Sequence, residues 1–165
     1  MISKRTKIMA IVIVTMFLAS GIATAYAYWL HINGSIKVTA TDWWCRYEEN
    51  GSWSQWYHMG NFVSNFEFNI SNGQDKTYMF EIHNDDNEDR HLTVYMDCDN
   101  NISSKLCMSH WHNNSWLPKH LVDNGQTIYW YYYPGFWNNT KRFYYNISVP
   151  NTCDSGTYDV SLEFV

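Results

Sequence analysis

Apolar and polar residues alternate with a period of two in several separate stretches of the chain. The apolar positions of these stretches are Phe66, Phe68 and Ile70; Tyr78, Phe80 and Ile82; Leu92, Val94 and Met96; Ile128, Trp130 and Tyr132; Phe143, Tyr145, Ile147 and Val149; and Tyr158, Val160, Leu162 and Phe164. A strand gives this pattern when one of its faces is buried and the other is in water. The pattern therefore predicts half-buried β-strands.

Turn-forming residues lie between these stretches. They are Asn72-Gly73, residues 84–90, Asp123-Asn124-Gly125, Tyr133-Pro134-Gly135 and Asp154-Ser155-Gly156. Short strands separated by turns, with no helical periodicity beyond the N-terminal segment, are typical of two-sheet sandwiches. We expect an all-β fold, a jelly-roll or Ig-like sandwich preceded by an N-terminal hydrophobic export helix. Only residues 43–60 and 105–121 give no clear pattern.

The N-terminal segment has the parts of an export signal. Three basic residues, Lys4, Arg5 and Lys7, precede an uncharged apolar run that is followed by the small-residue motifs Ala23-Thr24-Ala25 and Ala25-Tyr26-Ala27. This order predicts a signal peptide over residues 1–27. An uncleaved membrane anchor is the alternative, because the apolar run is long enough to cross a bilayer. Either way, we expect the rest of the protein to be secreted or at the cell surface.

A strand-like pattern begins directly after the predicted cleavage site. Tyr28, Leu30 and Ile32 alternate with polar or amphipathic residues; the pattern predicts a break at Gly34-Ser35, after which the alternation resumes at Ile36. A free N-terminal strand of this kind can add to the sheet edge of a neighbouring copy, and repeated contacts of this type build a fibre. We therefore divide the chain into a donor strand, residues 28–35, and a sandwich domain, residues 36–165. An ordinary edge strand and a spacer from an anchor are the alternatives.

Composition and charge agree with an extracellular β protein. Aromatic residues make up 18% of the chain, and such residues suit pleated sheets. Of the 11 basic residues, three lie in the export segment, which leaves eight against 16 acidic residues. Because no basic stripe remains to contact a phosphate backbone, the composition argues against nucleic acid as a partner.

Cysteines and glycosylation sequons point to the same location. The four cysteines, Cys45, Cys98, Cys107 and Cys153, all follow the export segment, and an even number in an exported chain predicts two disulfides. Three pairings are possible, of which we favour Cys98 with Cys107 and Cys45 with Cys153. Seven asparagines begin N-glycosylation sequons: Asn33, Asn50, Asn69, Asn101, Asn113, Asn138 and Asn146.

Candidate chemical sites are few. Cys107, Met108, His110 and His112 supply residue types that bind copper, but their order does not match a blue-copper loop, and a surface strand is the more common origin of such a cluster. The acidic residues 84–89 could hold Ca²⁺, yet they lack the spacing of an EF-hand. We predict no metal site and no cofactor. No catalytic motif is present, so we do not expect an enzyme.

A group of tryptophans offers a further alternative. Trp43, Trp44, Trp53, Trp56 and Tyr57 lie close together in the sequence and could stack on sugars, although packing between sheets is the more common role of such residues. A membrane-anchored surface module that binds glycan or metal is therefore the alternative function.

The order of these features resembles the TasA and camelysin-like secreted proteins, and above all the archaeal bundling pilins related to them. The resemblance rests on ATAYAYW at the end of the export segment, LHINGSIKVTATDW, NGQDKTYMFEIHNDDNEDRHLTVYM and the closing VPNTCDSGTYDVSLEFV. It implies a jelly-roll-like subunit that polymerises by donor-strand complementation, with Tyr28, Leu30 and Ile32 as the donated apolar face. The implied function is that of a pilin in extracellular biofilm filaments, whose partners are identical subunits and other cell-surface filaments. Membrane contact would occur only through the uncleaved precursor.

Overall fold

The computed structural model describes residues 29–39, 43–59 and 62–165. The predicted signal peptide or anchor and Tyr28 lie outside the described residues. Within the described ranges, no helix is long and apolar enough to cross a membrane.

Strands make up about two thirds of the described residues. They are β1 (Trp29–Val38), β2 (Trp43–Glu49), β3 (Ser52–Trp53), β4 (Tyr57–Met59), β5 (Phe62–Ser71), β6 (Asp75–Asn84), β7 (Arg90–Cys98), β8 (Ser103–His112), β9 (Ser115–Trp116), β10 (His120–Val122), β11 (Thr127–Trp130), β12 (Thr140–Ser148) and β13 (Gly156–Phe164). A short 3₁₀ helix, Phe136–Asn139, precedes β12.

The strands form two sheets, which confirms the predicted all-β class. The smaller sheet has the order β11-β7-β13-β1-β5, and the larger one has the order β10-β8-β12-β6-β2-β3, with β4 paired to β2 and β9 paired to β8. Among the described strand pairs, only β1 and β13 run parallel. The first described strand therefore lies inside its sheet rather than at an edge.

The core lies between the two sheets and is rich in aromatic rings. Phe80 and Phe143 of the larger sheet stack on each other with ring centroids 5.1 Å apart. Phe164 of the smaller sheet meets both rings edge to face, at 5.7 Å and 5.0 Å. Edge-to-face pairs of this kind contribute about 0.5–1.5 kcal/mol beyond the area they bury. This cluster joins the last strand of the chain to the centre of the larger sheet.

The predicted break at Gly34-Ser35 is wrong. β1 continues through both residues, and its pairing with β13 and β5 is uninterrupted from Leu30 to Val38. The strand tolerates a glycine here because it is hydrogen-bonded on both sides and because the ring of Phe66 covers Gly34. The boundary between residues 28–35 and residues 36–165 therefore falls inside one strand.

The six alternating stretches coincide with β5, β6, β7, β11, β12 and β13. One predicted position, Tyr132, lies beyond the end of β11 and is exposed. Each of the predicted turns lies where one element ends and the next begins, although Asn84, Arg90 and Gly156 are the terminal residues of strands. The two unclear segments contain β2 to β4 and β8 to β10. In the first of them a tight hairpin turn is made by Asn50 and Gly51, both with positive φ, which is the conformation that a two-residue type I′ turn requires.

Candidate functional site

The candidate assembly element is β1, which lies between β13 and β5. Residues Leu30 to Val38 pair in parallel with Gly156 to Phe164 of β13. On its other side, β1 pairs antiparallel with β5, with Leu30 opposite Ile70 and Val38 opposite Phe62. The strand thus fills the gap between two parts of the chain that are far apart in sequence.

The inward face of β1 is apolar and completely enclosed. Leu30, Ile32 and Ile36 have no exposed surface, and Val38 is 1% exposed. Burying an aliphatic side chain of this size contributes roughly 1.5–3 kcal/mol. Of the predicted donor residues, Leu30 and Ile32 therefore lie in the core of their own chain. Donation of this strand to a second copy stays a prediction.

The outward face of β1 carries a row of polar contacts to both neighbouring strands. His31 Nδ1 lies 3.0 Å from Asn69 Oδ1, Asn33 donates to Asp159 at 3.2 Å, and the Lys37 ammonium lies 2.8 Å from Glu163. Exposed contacts of this kind contribute little energy individually. They favour the observed register, because a slip of one residue would turn the polar face into the core.

A buried ion triad crosses the outer face of the larger sheet. Arg46, Glu81 and Arg142 lie directly opposite one another on β2, β6 and β12. The Glu81 carboxylate is completely buried; one oxygen lies 2.7 Å from Nε and Nη2 of Arg46, and the other lies 2.7 Å and 2.6 Å from Nε and Nη2 of Arg142. Each carboxylate oxygen therefore lies close to two nitrogens of one guanidinium, and charge-assisted hydrogen bonds of this kind are stronger than neutral ones.

Four tryptophans cover this triad, and we call them the tryptophan cover: Trp53, Trp56, Trp116 and Trp137. The Arg46 guanidinium lies 4.8 Å, 4.5 Å and 5.3 Å from the ring centroids of Trp53, Trp56 and Trp137. The Arg142 guanidinium lies 4.0 Å from Trp116 and 5.1 Å from Trp53. Cation–π contacts explain why a charged centre is stable on this face. The rings of Trp53 and Trp56 therefore pack against arginine guanidinium groups. Trp43 lies in the core and is 2% exposed.

The cluster considered for copper is divided between two faces of β8. Leu106 and Met108 point into the core, whereas Cys107 alternates with them and lies opposite Tyr144 and the exposed Leu121. His110 and His112 share one phase of the strand, as predicted. Among the described residues, no group of three or more His, Cys, Asp or Glu side chains could hold a metal ion.

The acidic turn between β6 and β7 is closed by its own contacts. The Asn84 amide donates to the Glu88 carbonyl at 2.8 Å, and Asn84 Oδ1 accepts from the backbone N–H of Asp86 at 3.1 Å. Asp86 also forms an ion pair with Arg90, which lowers the pKa of the Asp86 carboxyl through that hydrogen bond. These contacts give the turn a structural role.

All four cysteines are free thiols in the structure, and the formation of disulfides stays a prediction. Cys45 lies opposite Ile82, whereas the loop with Cys153 adjoins the other end of β6 near Asp75. Seven residues separate these two positions of β6, roughly 23 Å at a strand rise of about 3.3 Å. A disulfide needs Cα atoms within about 7 Å, so the favoured pairing of Cys45 with Cys153 is wrong.

The other favoured pairing fails for a different reason. Cys98 packs against the core from the smaller sheet. Cys107 lies on the outward face of the larger sheet, so the body of that sheet separates the two sulfur atoms. The pairing of Cys98 with Cys107 is therefore also wrong.

The seven sequon asparagines all lie outside the core. Five are exposed and two, Asn33 and Asn146, are half-buried. The half-buried pair donate side-chain hydrogen bonds, from Asn33 to Asp159 at 3.2 Å and from Asn146 to Thr77 at 3.2 Å. Asn69 and Asn146 lie on the outward faces of their strands. Glycosylation itself stays a prediction.

Sequence reasoning missed the ion triad. Its members are separated by 35 residues on one side and 61 on the other. The only local signal was Glu81 itself, a carboxylate between two apolar positions of a strand. The alternation places Glu81 on the outward face of that strand, where a carboxylate is expected to contact water.

Comparisons of the chain with known protein families, with curated proteins and with solved structures find no match. The class that the fold defines is an all-β protein of two packed sheets whose N-terminal strand lies inside one of them.

Proposed function

We propose that this protein is a secreted structural subunit of extracellular filaments that assembles by exchange of its N-terminal strand. The observation that carries the proposal is the position of β1. This strand precedes every other described element, yet it fills an interior position of the smaller sheet and buries Leu30, Ile32 and Ile36 completely. A sheet built around its own N-terminal strand can accept the same strand from an identical chain.

Exchange of β1 between copies is energetically easier than assembly through a separate contact surface. A strand taken from a neighbour would make the same hydrogen bonds and fill the same core positions as β1 does, so the exchange needs no new complementary surface. If each copy gives its strand to the next, the contact does not close, and a fibre results. The partners are identical subunits and, by resemblance, other cell-surface filaments.

Two further features support an extracellular structural role. The predicted order of export segment, strand and sandwich resembles that of the TasA-like proteins, and we propose that the body is jelly-roll-like in the same sense. All seven sequon asparagines lie outside the core, so glycans would not disturb the packing of the sheets.

A pair of engineered cysteines tests the exchange. His31 and Asn69 lie opposite each other on the outward faces of β1 and β5, with their side chains in contact. In a chain that carries His31→Cys and Asn69→Cys, oxidation should link neighbouring subunits if strands are exchanged. Filaments of the mature protein should then give a ladder of covalent oligomers on a non-reducing gel.

The matched control pair is Thr77→Cys with Asn146→Cys. These residues lie opposite each other on β6 and β12, neither of which would be exchanged. The control should give only crosslinked monomers. Filaments in which the pair in β1 and β5 also gives only monomers would contradict strand exchange, and a mature protein that forms no filaments by electron microscopy would contradict the structural role.

The alternative is a membrane-anchored surface module that binds glycan. The exposed rings of Tyr131 and Tyr133 after β11 favour it. N-terminal sequencing of the native protein separates the two functions, since an intact residue 1 supports the anchored module and a start at Tyr26 or Tyr28 supports the subunit.

A further inference from the structure

A cavity of about 490 Å³ opens at the end of the sandwich where β8 and β11 end and β12 begins. Its walls include His110 and His112 of β8, Trp130 of β11, Lys141 of β12 and two exposed tyrosines of the following loop, Tyr131 and Tyr133. The size falls within the range of pockets that hold small molecules. No Asp or Glu is among its lining residues.

Lys141 is the cationic group of this cavity. It is half-buried, lies opposite His110 on the neighbouring strand, and places its ammonium 5.4 Å from the centroid of the Trp130 ring. Among the described residues, no carboxylate lies within ion-pair distance of this ammonium. Burial lowers the pKa of Lys141 to about 8, so the side chain remains mostly protonated at neutral pH.

Trp130 also lines the cavity, but its polar atom is not accessible from it. The residue is 1% exposed, and its indole Nε1–H is enclosed by protein without a hydrogen-bond acceptor among the described residues. The unpaired Lys141 ammonium is therefore the charged donor that the cavity offers to an anion.

The remaining walls offer aromatic surfaces. Tyr131 and Tyr133 are each 58% exposed, and Trp111 lies on the β8 side of the cavity. Aromatic rings that are accessible on one face stack well against the apolar faces of rigid ring compounds, such as sugars. The cavity thus combines a charged donor with aromatic stacking surfaces.

We propose that this cavity binds an acidic sugar residue, with the sugar carboxylate at Lys141 and the sugar ring against Tyr131 and Tyr133. One ammonium matches the single charge of a carboxylate, whereas the doubly charged phosphate group is more often met by several arginines. This binding function is independent of filament assembly.

The acidic sugar has two possible sources. It can belong to a separate polysaccharide, or it can belong to a glycan attached to this chain, because two predicted acceptor residues, Asn113 and Asn138, also lie on the cavity wall. Both sources present the same chemistry to Lys141. They differ in whether the cavity is already filled in the glycosylated protein.

Titration calorimetry with glucuronic acid and with glucose as probes tests the proposal on the mature full-length protein. We expect saturable binding of glucuronic acid and at least about tenfold weaker binding of glucose, which lacks the carboxylate. Binding only after Asn113→Gln and Asn138→Gln would assign the site to the protein's own glycan; binding to the unaltered protein would assign it to a separate polysaccharide.

Variants identify the residues responsible. Lys141→Met should abolish the preference for glucuronic acid, whereas Lys105→Met, at an exposed lysine of β8, should preserve it. Tyr131→Ala changes an exposed residue, so it should weaken the binding of both sugars without unfolding the protein. The proposal would be overturned if the two sugars bound with equal affinity or if neither bound to any of these proteins. It would also be overturned if glucose 6-sulfate bound more tightly than glucuronic acid, or if Lys141→Met kept the preference for glucuronic acid.

Discussion

The ring of Phe66 occupies the space in which a side chain of Gly34 would stand. The two residues are cross-strand partners on β5 and β1, and a Cβ atom added to Gly34 would come within 1.9 Å of Phe66 Cζ. The same ring stacks at 4.5 Å on Tyr78 of the opposite sheet. The absence of a side chain at residue 34 therefore lets Phe66 join β1, β5 and the larger sheet at one point.

Gly34→Ala should destabilise the protein, because the new methyl group forces Phe66 away from Tyr78. Overpacking of this kind costs about 1–3 kcal/mol, measured as the free energy of unfolding in denaturant. Ser35→Ala, on the outward face of the same strand, is the control and should change little. A second substitution, Phe66→Leu, should recover part of the loss; a stable Gly34→Ala protein would contradict the close packing.

Glu81→Gln should destabilise strongly, because it leaves Arg46 and Arg142 partly buried without an anion. Removing one partner of a buried charge group costs about 3–5 kcal/mol. The matched control is Glu163→Gln, since that carboxylate is 40% exposed in its ion pair with Lys37 and should contribute only about 0–1 kcal/mol. Equal melting temperatures for the two variants would show that the tryptophan cover stabilises the arginines without Glu81.

His83 should make stability depend on pH. Burial lowers the pKa of His83 to about 4 from its ordinary 6.5, although Asp85 and the Phe136 backbone oppose this shift. Because the unfolded chain binds this proton more tightly, the contribution of His83 to stability is complete above pH 6.5, decreases as the pH falls towards 4, and changes no further below that. The loss should be on the order of 3 kcal/mol.

His83→Gln checks this dependence. Its unfolding free energy should vary less between pH 6.5 and 4 than that of the wild type, whereas His91→Gln, at an exposed position, should follow the wild type. A curve for His83→Gln parallel to that of the wild type would assign the acid sensitivity to other groups.

The four thiols should differ in reactivity. Burial raises the pKa of the Cys45 thiol, and Cys153 is buried as well, whereas Cys98 and Cys107 are half-buried. An alkylating reagent should therefore modify Cys98 and Cys107 before the other two, as measured by peptide mass spectrometry, and all four should react after unfolding without reductant. Fewer than four modified residues in the unfolded chain would reveal a disulfide.

Local pattern was sufficient where a strand has one buried face and one exposed face. In β13, Tyr158, Val160, Leu162 and Phe164 are all buried as the alternation predicted. The pattern failed in β8, where Cys107 and Trp111 are apolar residues on the face away from the core. Because other side chains cover this outward face as well, both faces of β8 carry apolar residues and the sequence shows no period of two.

The sequence by itself determined the all-β class, the positions of six strands and the turns between them, because these depend on each segment's own alternation and on residues such as Asn and Gly. Only the tertiary structure decided which strands pair. Asn33 of β1 contacts Asp159 of β13, 126 residues later, and Arg46 and Arg142 meet at Glu81 from opposite sides. Such contacts depend on how both sheets close around one core, which no local pattern encodes.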